Sequence, residues 1–426
     1  MKSAYIFLFF FLLINSIIEK NIEAQSGWTL LNSGSTDNLK AVCLLNYENV
    51  FVTGDGARVL RSDDSGTNWL DISPAFSSVN LNGIVFFDSL TGIVVGDAGN
   101  IYRTINGGAD WSTVSSNISD NLLSVSFVDS IGICGALSQT IIYSMNSGIS
   151  WTTAQSGFIG GGFWGTYLLS PNIGYVIGEN SIFQPLLGTT VDGGANWTFS
   201  SFYLNNNEGR AYDVIFTDNQ IGYTACAVWD GRGAIAKTTD SGTSWSTMFF
   251  NTPLYGINFP ISNASLVGYA VGISGTILKT TDAGTNWQPQ VSGTSEVLND
   301  VFFMDLDYGF AVGNGGIILK TETGGEPPIQ ITHNKNRNLS GFELIGNYPN
   351  PFNSGTIIRF NLFDGSKVNL KIFNILGEEI ATLVSDRLSA GSYSYEWDAN
   401  SMASGVYLYR LQAGNYVETR KMVLMR

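Results

Sequence analysis

The amino-acid sequence predicts an all-β protein, and three observations lead to this prediction. The 426 residues include 49 glycines and 13% aromatic side chains, but only 10 prolines. A short motif with glycine and tryptophan recurs at intervals of 40 to 48 residues. Between its copies lie short runs of alternating apolar and polar residues, which are typical of half-buried strands. Many short strands joined by glycine turns give this combination, whereas a helical bundle does not.

The distribution of charge divides the chain and disfavours two kinds of partner. Residues 25–340 carry a net charge of -14, whereas residues 341–426 are neutral. Nucleic acids and anionic membranes attract basic surfaces, so we expect neither as a partner. The change in charge is a first indication of a domain boundary near residue 335.

Residues 1–24 are predicted to be a secretory signal peptide. Lys2 supplies the positive start, an apolar run covers residues 4–18, and Ala24 offers a small residue before Gln25. The alternative is an N-terminal membrane anchor, for which this run is short. No later stretch is apolar for long enough to cross a bilayer, so we expect an exported protein without a transmembrane span in its mature form.

The repeated motif reads D/N-x-G-x-x-W, and we expect it to be structural. Its first residue can accept hydrogen bonds from backbone N–H groups in a turn, and its glycine permits a left-handed backbone. The tryptophan is expected to pack between neighbouring units. Six copies spread over six units cannot form one catalytic site. The predicted structural residues are Asp64, Asn106, Asn146, Asp192, Asp240 and Asp282.

Each unit predicts four short strands, named A to D in chain order. Strand A reads LxxVxFxD, strand B reads GxxVG, strand C reads xIxKT, and strand D begins at the tryptophan. Four strands in a period of about 40–45 residues are the signature of a β-propeller blade. The sequence therefore predicts a propeller.

The number of blades follows from a missing tryptophan. The seventh unit has Pro328 where its tryptophan should fall, whereas Trp28 belongs to a strand D that has no strands A to C of its own. We predict that residues 27–33 add the outer strand to the last blade, which removes a free sheet edge. The result is a seven-bladed β-propeller over residues 25–326.

The motif S/T-x-D-x-G-x-x-W resembles the Asp-box, or BNR repeat, of sialidase-like and photosystem II assembly-factor-like propellers. The resemblance covers about residues 27–326. An assembly factor would imply a chaperone with a protein partner, and a sialidase would need a cluster of arginines for the substrate carboxylate. The arginines of this propeller do not repeat that pattern; they are Arg58, Arg61, Arg103, Arg210 and Arg232.

The fourth and fifth units have longer loops before strand A and between strands B and C. In a four-stranded meander these loops emerge on one face, opposite the Asp-boxes. Aromatic and charged residues on such a face suit glycan or peptide binding. The alternative is ordinary loop variation, with the aromatic rings packed under their own loops. The predicted ligand-binding residues are Trp164, Phe183, Tyr203, Glu208, Arg210, Trp229, Asp230 and Arg232.

These features favour a secreted, non-catalytic binding or scaffold protein, monomeric and without a cofactor or metal. The only histidine is His333, in a predicted linker, and the three cysteines are expected to be buried free thiols within apolar strands. The alternative is a glycoside hydrolase of the Asp-box propeller type, which needs two suitably spaced carboxylates. Its candidates are Glu179, Glu208, Asp213 and Asp230.

The C-terminal part predicts a second, smaller domain. Residues 327–341 open with two prolines and read as a linker, and residues 342–426 contain about seven alternating strands. This number of strands in about 85 residues suggests an Ig-like β-sandwich.

This domain resembles the type A C-terminal sorting domain of the type IX secretion system of Bacteroidetes-like bacteria. The resemblance implies contact with the type IX machinery and passage through the periplasm and outer membrane. In that family the domain is usually removed afterwards, and the cargo is released or attached to the cell surface. The matching motifs are YPNPFN (348–353), VNLKIFNILG (368–377), GSYSYEWDA (391–399), ASGVYLYRL (403–411) and KMVLMR (421–426).

Overall fold

The computed structural model divides the chain into two compact units, Met1–Ile329 and Gln330–Arg426. The predicted signal peptide and the predicted linker lie outside the residues that the structure describes. None of the described residues forms a helix long and apolar enough to cross a membrane. The described residues are 26–74, 78–154, 161–205, 208–260, 266–326, 342–348, 352, 355–362, 365–374, 377–389, 391–400, 402–414 and 416–424.

The first unit contains seven antiparallel four-stranded sheets in its described residues, here called blades 1 to 7. After β1 (Gly27–Asn32), the chain builds six sheets from consecutive strands. Blade 1 consists of β2 (Leu39–Leu44), β3 (Val50–Gly54), β4 (Val59–Ser62) and β5 (Leu70–Asp71). Blade 2 consists of β6 (Leu81–Phe86), β7 (Gly92–Gly96), β8 (Asn100–Thr104) and β9 (Ser112–Ser115). Blade 3 consists of β10 (Leu122–Val128), β11 (Ile131–Ala136), β12 (Ile141–Ser144) and β13 (Thr152–Thr153). Blade 4 consists of β14 (Phe163–Leu168), β15 (Gly174–Glu179), β16 (Pro185–Thr190) and β17 (Thr198–Ser201). Blade 5 consists of β18 (Gly209–Phe216), β19 (Gly222–Val228), β20 (Gly233–Thr238) and β21 (Ser246–Phe250). Blade 6 consists of β22 (Leu254–Asn258), β23 (Gly268–Gly272), β24 (Ile277–Thr280) and β25 (Gln288–Gln290).

Blade 7 takes its outer strand from the start of the unit. It consists of β26 (Leu298–Phe303), β27 (Gly309–Gly313), β28 (Ile317–Gly325) and β1, in the order β1-β28-β27-β26. Trp28 on β1 is buried and meets Phe303 edge to face at 5.7 Å. Its Nε1 donates a hydrogen bond of 2.9 Å to Oε1 of Gln290, next door on blade 6. The predicted closing strand is confirmed, and the seven sheets are compatible with the predicted blades.

The apolar core of this unit lies between adjacent sheets, and each interface contains one motif tryptophan. Trp111 of blade 2, for example, packs in one cluster with Phe51 of blade 1 and Phe86 of its own blade. Trp287 of blade 6 meets Phe259 edge to face at 5.9 Å. The predicted packing of the tryptophans between blades is confirmed. Burial of these large indole side chains stabilises the contacts between neighbouring blades.

The repeated motif forms the same hydrogen-bonded turn between strands C and D of successive blades. In blade 1, Asp64 Oδ1 accepts bonds from the backbone N–H of Asn68 (2.8 Å) and from the Ser62 hydroxyl (2.9 Å). The glycine has a left-handed backbone, with φ of 86° at Gly242. A Cβ atom there would lie 2.2 Å from Leu187 of blade 4. These contacts are compatible with the structural role predicted for the motif.

The three cysteines, Cys43, Cys134 and Cys226, are buried and free, as predicted. Burial raises the pKa of the Cys43 thiol to about 11 and that of Cys226 to about 12. The thiols are therefore neutral at ordinary pH and act as small apolar side chains.

The second unit is a β domain with two sheets. The strands β29 (Phe342–Tyr348), β30 (Gly355–Leu362) and β33 (Gly391–Asp398) form one sheet, and β31 (Ser366–Phe373), β32 (Glu379–Leu388), β34 (Gly405–Ala413) and β35 (Tyr416–Leu424) form the other, in the order β32-β31-β34-β35. Phe352 of the YPNPFN motif is buried against Trp397, and its backbone N–H bonds to the carbonyl of Val423 at 2.9 Å. The motif is thereby tied to the last strand. This arrangement is compatible with the predicted sandwich.

Candidate binding site at the mouth of the channel

A β-bulge occurs at the same place in the inner strand of all seven blades. The pairing register of strands A and B shifts there by one residue, so a single residue is left between two paired ones. Bulges bend a strand and redirect a side chain. The seven bulge residues, here called the mouth ring, are Lys40, Asn82, Leu123, Trp164, Tyr212, Tyr255 and Asn299.

The mouth ring surrounds a central channel of about 320 Å³ that is lined by the inner strands of all seven blades. Its chemistry differs around the circle. Blades 7, 1 and 2 contribute polar residues; for example, Lys40 Nζ donates to Asn82 Oδ1 at 2.9 Å. Blades 4, 5 and 6 contribute Trp164, Tyr212 and Tyr255, whose rings contact each other in turn at 5.4 and 4.8 Å. One side of the mouth is therefore aromatic.

Arg210, at the start of β18, lies within this aromatic side. Its guanidinium carbon is 4.3 Å from the ring centre of Trp164, 5.4 Å from that of Trp229 and 5.7 Å from that of Tyr212. Cation–π contacts of this kind hold an arginine in a fixed orientation. Its Nε is buried and has no hydrogen-bond partner among the described residues.

Glu179, the last residue of β15, neutralises Arg210. Its Oε1 is 3.0 Å from Arg210 Nη2, and its Oε2 accepts a bond of 2.7 Å from Trp164 Nε1. The carboxylate is buried, and burial raises its pKa, although the charge of Arg210 and the bond from Trp164 oppose this rise. Both oxygens of Glu179 are thus occupied within the site.

Phe183 and Trp229 form an exposed platform beside the arginine. Their rings meet edge to face at 5.6 Å, and each side chain is about half exposed (50% and 51%). The backbone connects the platform to the neighbouring loop, because Gly209 N–H donates to the Phe183 carbonyl at 2.9 Å. Two large apolar rings are therefore held open to solvent next to a fixed cation.

The structure brings four of the eight predicted ligand-binding residues into direct contact: Trp164, Phe183, Arg210 and Trp229. Glu208 joins through its backbone, since its carbonyl accepts a bond of 3.3 Å from Trp229 N–H. Asp230 and Arg232 instead pair with each other at 2.6 Å within one turn, and Arg232 lies 4.2 Å from the ring centre of Phe249. Tyr203 is exposed and has no ring contact with the cluster among the described residues.

Two members of the aromatic cluster, Tyr212 and Tyr255, were absent from the predicted set. The repeat itself could have indicated them, because Tyr212 and Tyr255 occupy the same position in their units, directly after the first apolar residue of strand A. Glu179 was named only as a hydrolase candidate. Its role as partner of Arg210 depends on a contact between two blades, which motif spacing does not reveal.

In six blades the residue after the bulge also lines the channel, and in two of them it is an aspartate. Asp213 Oδ2 accepts a bond of 2.9 Å from the backbone N–H of Ile257 in the next blade, and Asp300 Oδ2 does the same with Val42. Desolvation in the channel wall raises the pKa of Asp213 to about 7 and that of Asp300 to about 6. These carboxylates therefore join adjacent blades.

The fold and this mouth together define a β-propeller with an aromatic site at one end of its channel. Residues 163–297 match the family model of the photosynthesis system II assembly factor YCF48, and residues 347–425 match that of the secretion system C-terminal sorting domain. Both resemblances inferred from the motifs are confirmed. The chain thus has a propeller similar to YCF48, followed by a region that matches the sorting-domain model. No curated protein sequence matches the chain.

Solved propellers share the fold at low sequence identity. YCF48 bound to D1 peptide has a TM-score of 0.57 at 17% identity, covering 70% of this chain and 95% of its own. YCF48 from Cyanidioschyzon merolae has a TM-score of 0.55 at 17% sequence identity, and the match covers 69% of this chain and 98% of that protein. The GH74 xyloglucanase from Xanthomonas campestris has a TM-score of 0.56 at 11% sequence identity, and the match covers 93% of this chain and 67% of the xyloglucanase. At these identities the comparisons establish the predicted all-β propeller fold.

Proposed function

We propose that this protein is a secreted, non-catalytic binding protein whose channel mouth holds a peptide segment of a surface or secreted protein. The observation that carries the proposal is the open platform of Phe183 and Trp229 beside the fixed guanidinium of Arg210. Exposed aromatic rings with a neighbouring arginine are the residues that dominate binding energy at protein interfaces.

Secretion is supported by the C-terminal domain. The match to a secretion system sorting domain points to handling by type IX machinery and delivery towards the cell surface. In this proposal the propeller is the cargo and the sorting domain provides the contact with the secretion machinery.

A peptide ligand is favoured over other classes by two observations. The fold is shared with a YCF48 structure that contains a bound D1 peptide. In addition, the buried Nε of Arg210 has no hydrogen-bond partner in the described part of the propeller, and a peptide can supply carbonyl acceptors close to a cluster of rings. A glycan is the second candidate, because the half-exposed ring of Trp229 also offers a flat surface for a sugar.

The carboxylates named for a hydrolase are mostly engaged in other contacts. Glu179 is held by Arg210 and Trp164, and Asp230 is paired with Arg232. Asp213 accepts bonds from the backbone N–H groups of two residues. Hydrolysis of a glycoside needs one carboxyl group free to donate a proton and a second one free to attack or to activate water. These contacts therefore favour binding over hydrolysis.

The proposal is tested by screening residues 25–426 against a random peptide library and a glycan array, with titrations of the best binders. We expect selected peptides to bind, and Trp229→Ala or Trp164→Ala to weaken binding at least about tenfold, since each loses a central aromatic contact. The matched control is Val191→Ala, an exposed apolar side chain on the opposite, Asp-box face. Binders that ignore both tryptophan variants, or hydrolysis of an arrayed glycan, would contradict the proposal.

A further inference from the structure

One position of the Asp-box turn changes its chemistry from blade to blade. It lies between the last Ser or Thr of strand C and the first motif residue, and it is here called the box tip. In blades 2, 3 and 4 the box tip is apolar and well exposed: 65% for Ile105, 59% for Met145 and 74% for Val191. The other blades carry Asp63, Thr239, Thr281 and Glu322 at this position.

The fold does not require an apolar box tip. The turn around Ile105 is held by Thr104, whose hydroxyl lies 2.9 Å from Asn106 Oδ1 and accepts a bond of 2.9 Å from Gly108 N–H. The turn around Thr239 has the same bonds from Thr238, at 2.8 and 2.9 Å. Since polar side chains occupy the tip of equivalent turns, the turn itself does not require the exposed apolar ones.

One of the apolar tips, Ile105, belongs to a surface shared by blades 2 and 3. Ile105 and Ile149, the latter 62% exposed, line one shallow depression of about 380 Å³ together with Arg103 and Asp110. Arg103 Nε donates a bond of 3.0 Å to the Ser147 carbonyl, which fixes the two blades at this point. We call these four side chains, Arg103, Ile105, Asp110 and Ile149, the blade 2–3 patch.

The patch contains one charge of each sign. Neither Arg103 nor Asp110 forms an ion pair in the described part of the chain; Asp110 accepts a bond of 3.0 Å from Asn106. Oδ1 of the nearby Asp88 accepts hydrogen bonds of 2.7 Å from the N–H groups of Leu90 and Thr91. These bonds, and to a smaller extent the positive charge of Arg103, lower the pKa of Asp88. Arg103 and Asp110 are thus available to a partner.

We propose that the blade 2–3 patch binds a second copy of this chain. In a twofold interface the same patch meets itself, so Arg103 of each copy faces Asp110 of the other, with the isoleucines between them. A patch that combines a cation, an anion and two apolar residues is complementary to itself. The chain carries a net charge of -14, and these pairings offset the repulsion between two acidic copies.

This interface is small and therefore weak. Stable dimers usually bury on the order of 800 Å² per partner, and one shallow patch provides less. The dimer lies on the Asp-box face, opposite the channel mouth, so it is independent of the ligand proposed above. The proposal differs from the monomer expected from the sequence.

The first test is sedimentation velocity of residues 25–426 over a wide range of concentration. We expect concentration-dependent dimers, and Ile105→Asp should raise the dissociation constant at least about 100-fold by placing a charge in the apolar centre. Thr239→Asp, at the box tip of blade 5, is the matched control and should change nothing. A monomer at all concentrations, or equal dissociation by both variants, would overturn the proposal.

The second test uses charge exchange. Arg103→Glu alone brings like charges together across the twofold axis, and Asp110→Lys alone does the same, so each variant should be monomeric. In a mixture of the two variants, opposite charges face each other at both positions, and the heterodimer should form. A mixture that stays monomeric while the wild type dimerises would refute the twofold arrangement, as would dimers formed by either variant alone.

Discussion

Asp213 and Asp300 each connect two neighbouring blades, and each carboxylate loses its hydration in doing so. Each places a carboxylate in the channel wall and binds a backbone N–H of the next blade. These bonds give inner-strand amides a partner that their own sheets do not provide. The same location removes water from the charge, which raises the pKa of both groups. The carboxylates therefore hold protons more tightly in the folded protein than in the unfolded chain.

The stability of the protein should consequently depend on pH in a definite direction. The folded pKa of Asp213 is about 7, against an ordinary value of 3.8. Its proton stabilises the fold fully below about pH 4, and this contribution is lost as the pH rises through 7. The slope approaches about 1.4 kcal/mol per pH unit at most.

Urea unfolding of wild type and Asp213→Asn between pH 4 and 8 measures this effect. The free energy of unfolding of the wild type should fall over this range, and the Asn variant, which has no proton to lose, should show a smaller fall. The comparison uses the slopes alone, since the substitution also changes a hydrogen bond. Parallel slopes for the two proteins would show that Asp213 does not titrate in this way.

At the scale of strands, β1 closes the ring of sheets. It is the outer strand of blade 7, and it brings Trp28 into the interface with blade 6. This side chain is 4% exposed, whereas Trp229 in the mouth is 51% exposed. The two tryptophans therefore differ in role as well as in place.

Replacing these tryptophans should separate stability from binding. Trp28→Ala should lower the free energy of unfolding by about 3–5 kcal/mol, because it empties a packed interface. Trp229→Ala should change it by no more than about 0.5 kcal/mol, as expected for an exposed position. Chemical unfolding curves of both variants test this, and equal midpoints would contradict the closing role of β1.

The elements that follow from local spacing could be predicted from the sequence. The motif turns, the tryptophans between blades and the closing strand around Trp28 all depend on residues at fixed intervals. The bulges could not be predicted, because the register of an inner strand is set by pairing across the sheet. Trp164 was predicted from the lengthened loop before strand A, so Tyr212 and Tyr255, which share its bulge position, were not predicted with it.

Contacts between separate blades were the hardest part of the site to predict. The pairing of Arg210 with Glu179 joins residues of blades 5 and 4, and no spacing rule relates them. The pairing of Asp230 with Arg232, by contrast, is local, and it draws these two residues into their own turn. Local hydrogen bonding of this kind decides which charged loop residues remain available to a ligand.

For the whole molecule, the sorting domain should decide where the propeller is delivered. Deleting residues 341–426 should leave the protein in the periplasm of a bacterium that has type IX machinery, because the contact with that machinery is lost. Cell fractionation with immunodetection measures this, and the full chain is the control. Normal delivery of the shortened protein to the cell surface would show that the propeller carries its own export signal.

The pairing of β1 with β28 also imposes an order on biogenesis. These strands stand at opposite ends of the propeller sequence, so the circle stays incomplete until Gly325 has entered the same compartment as Gly27. A chain threaded across a membrane from its N-terminal side thus reaches its compact form only when the whole propeller has passed through. The sorting domain comes next along the polypeptide. It therefore enters that compartment after every strand of the propeller has done so.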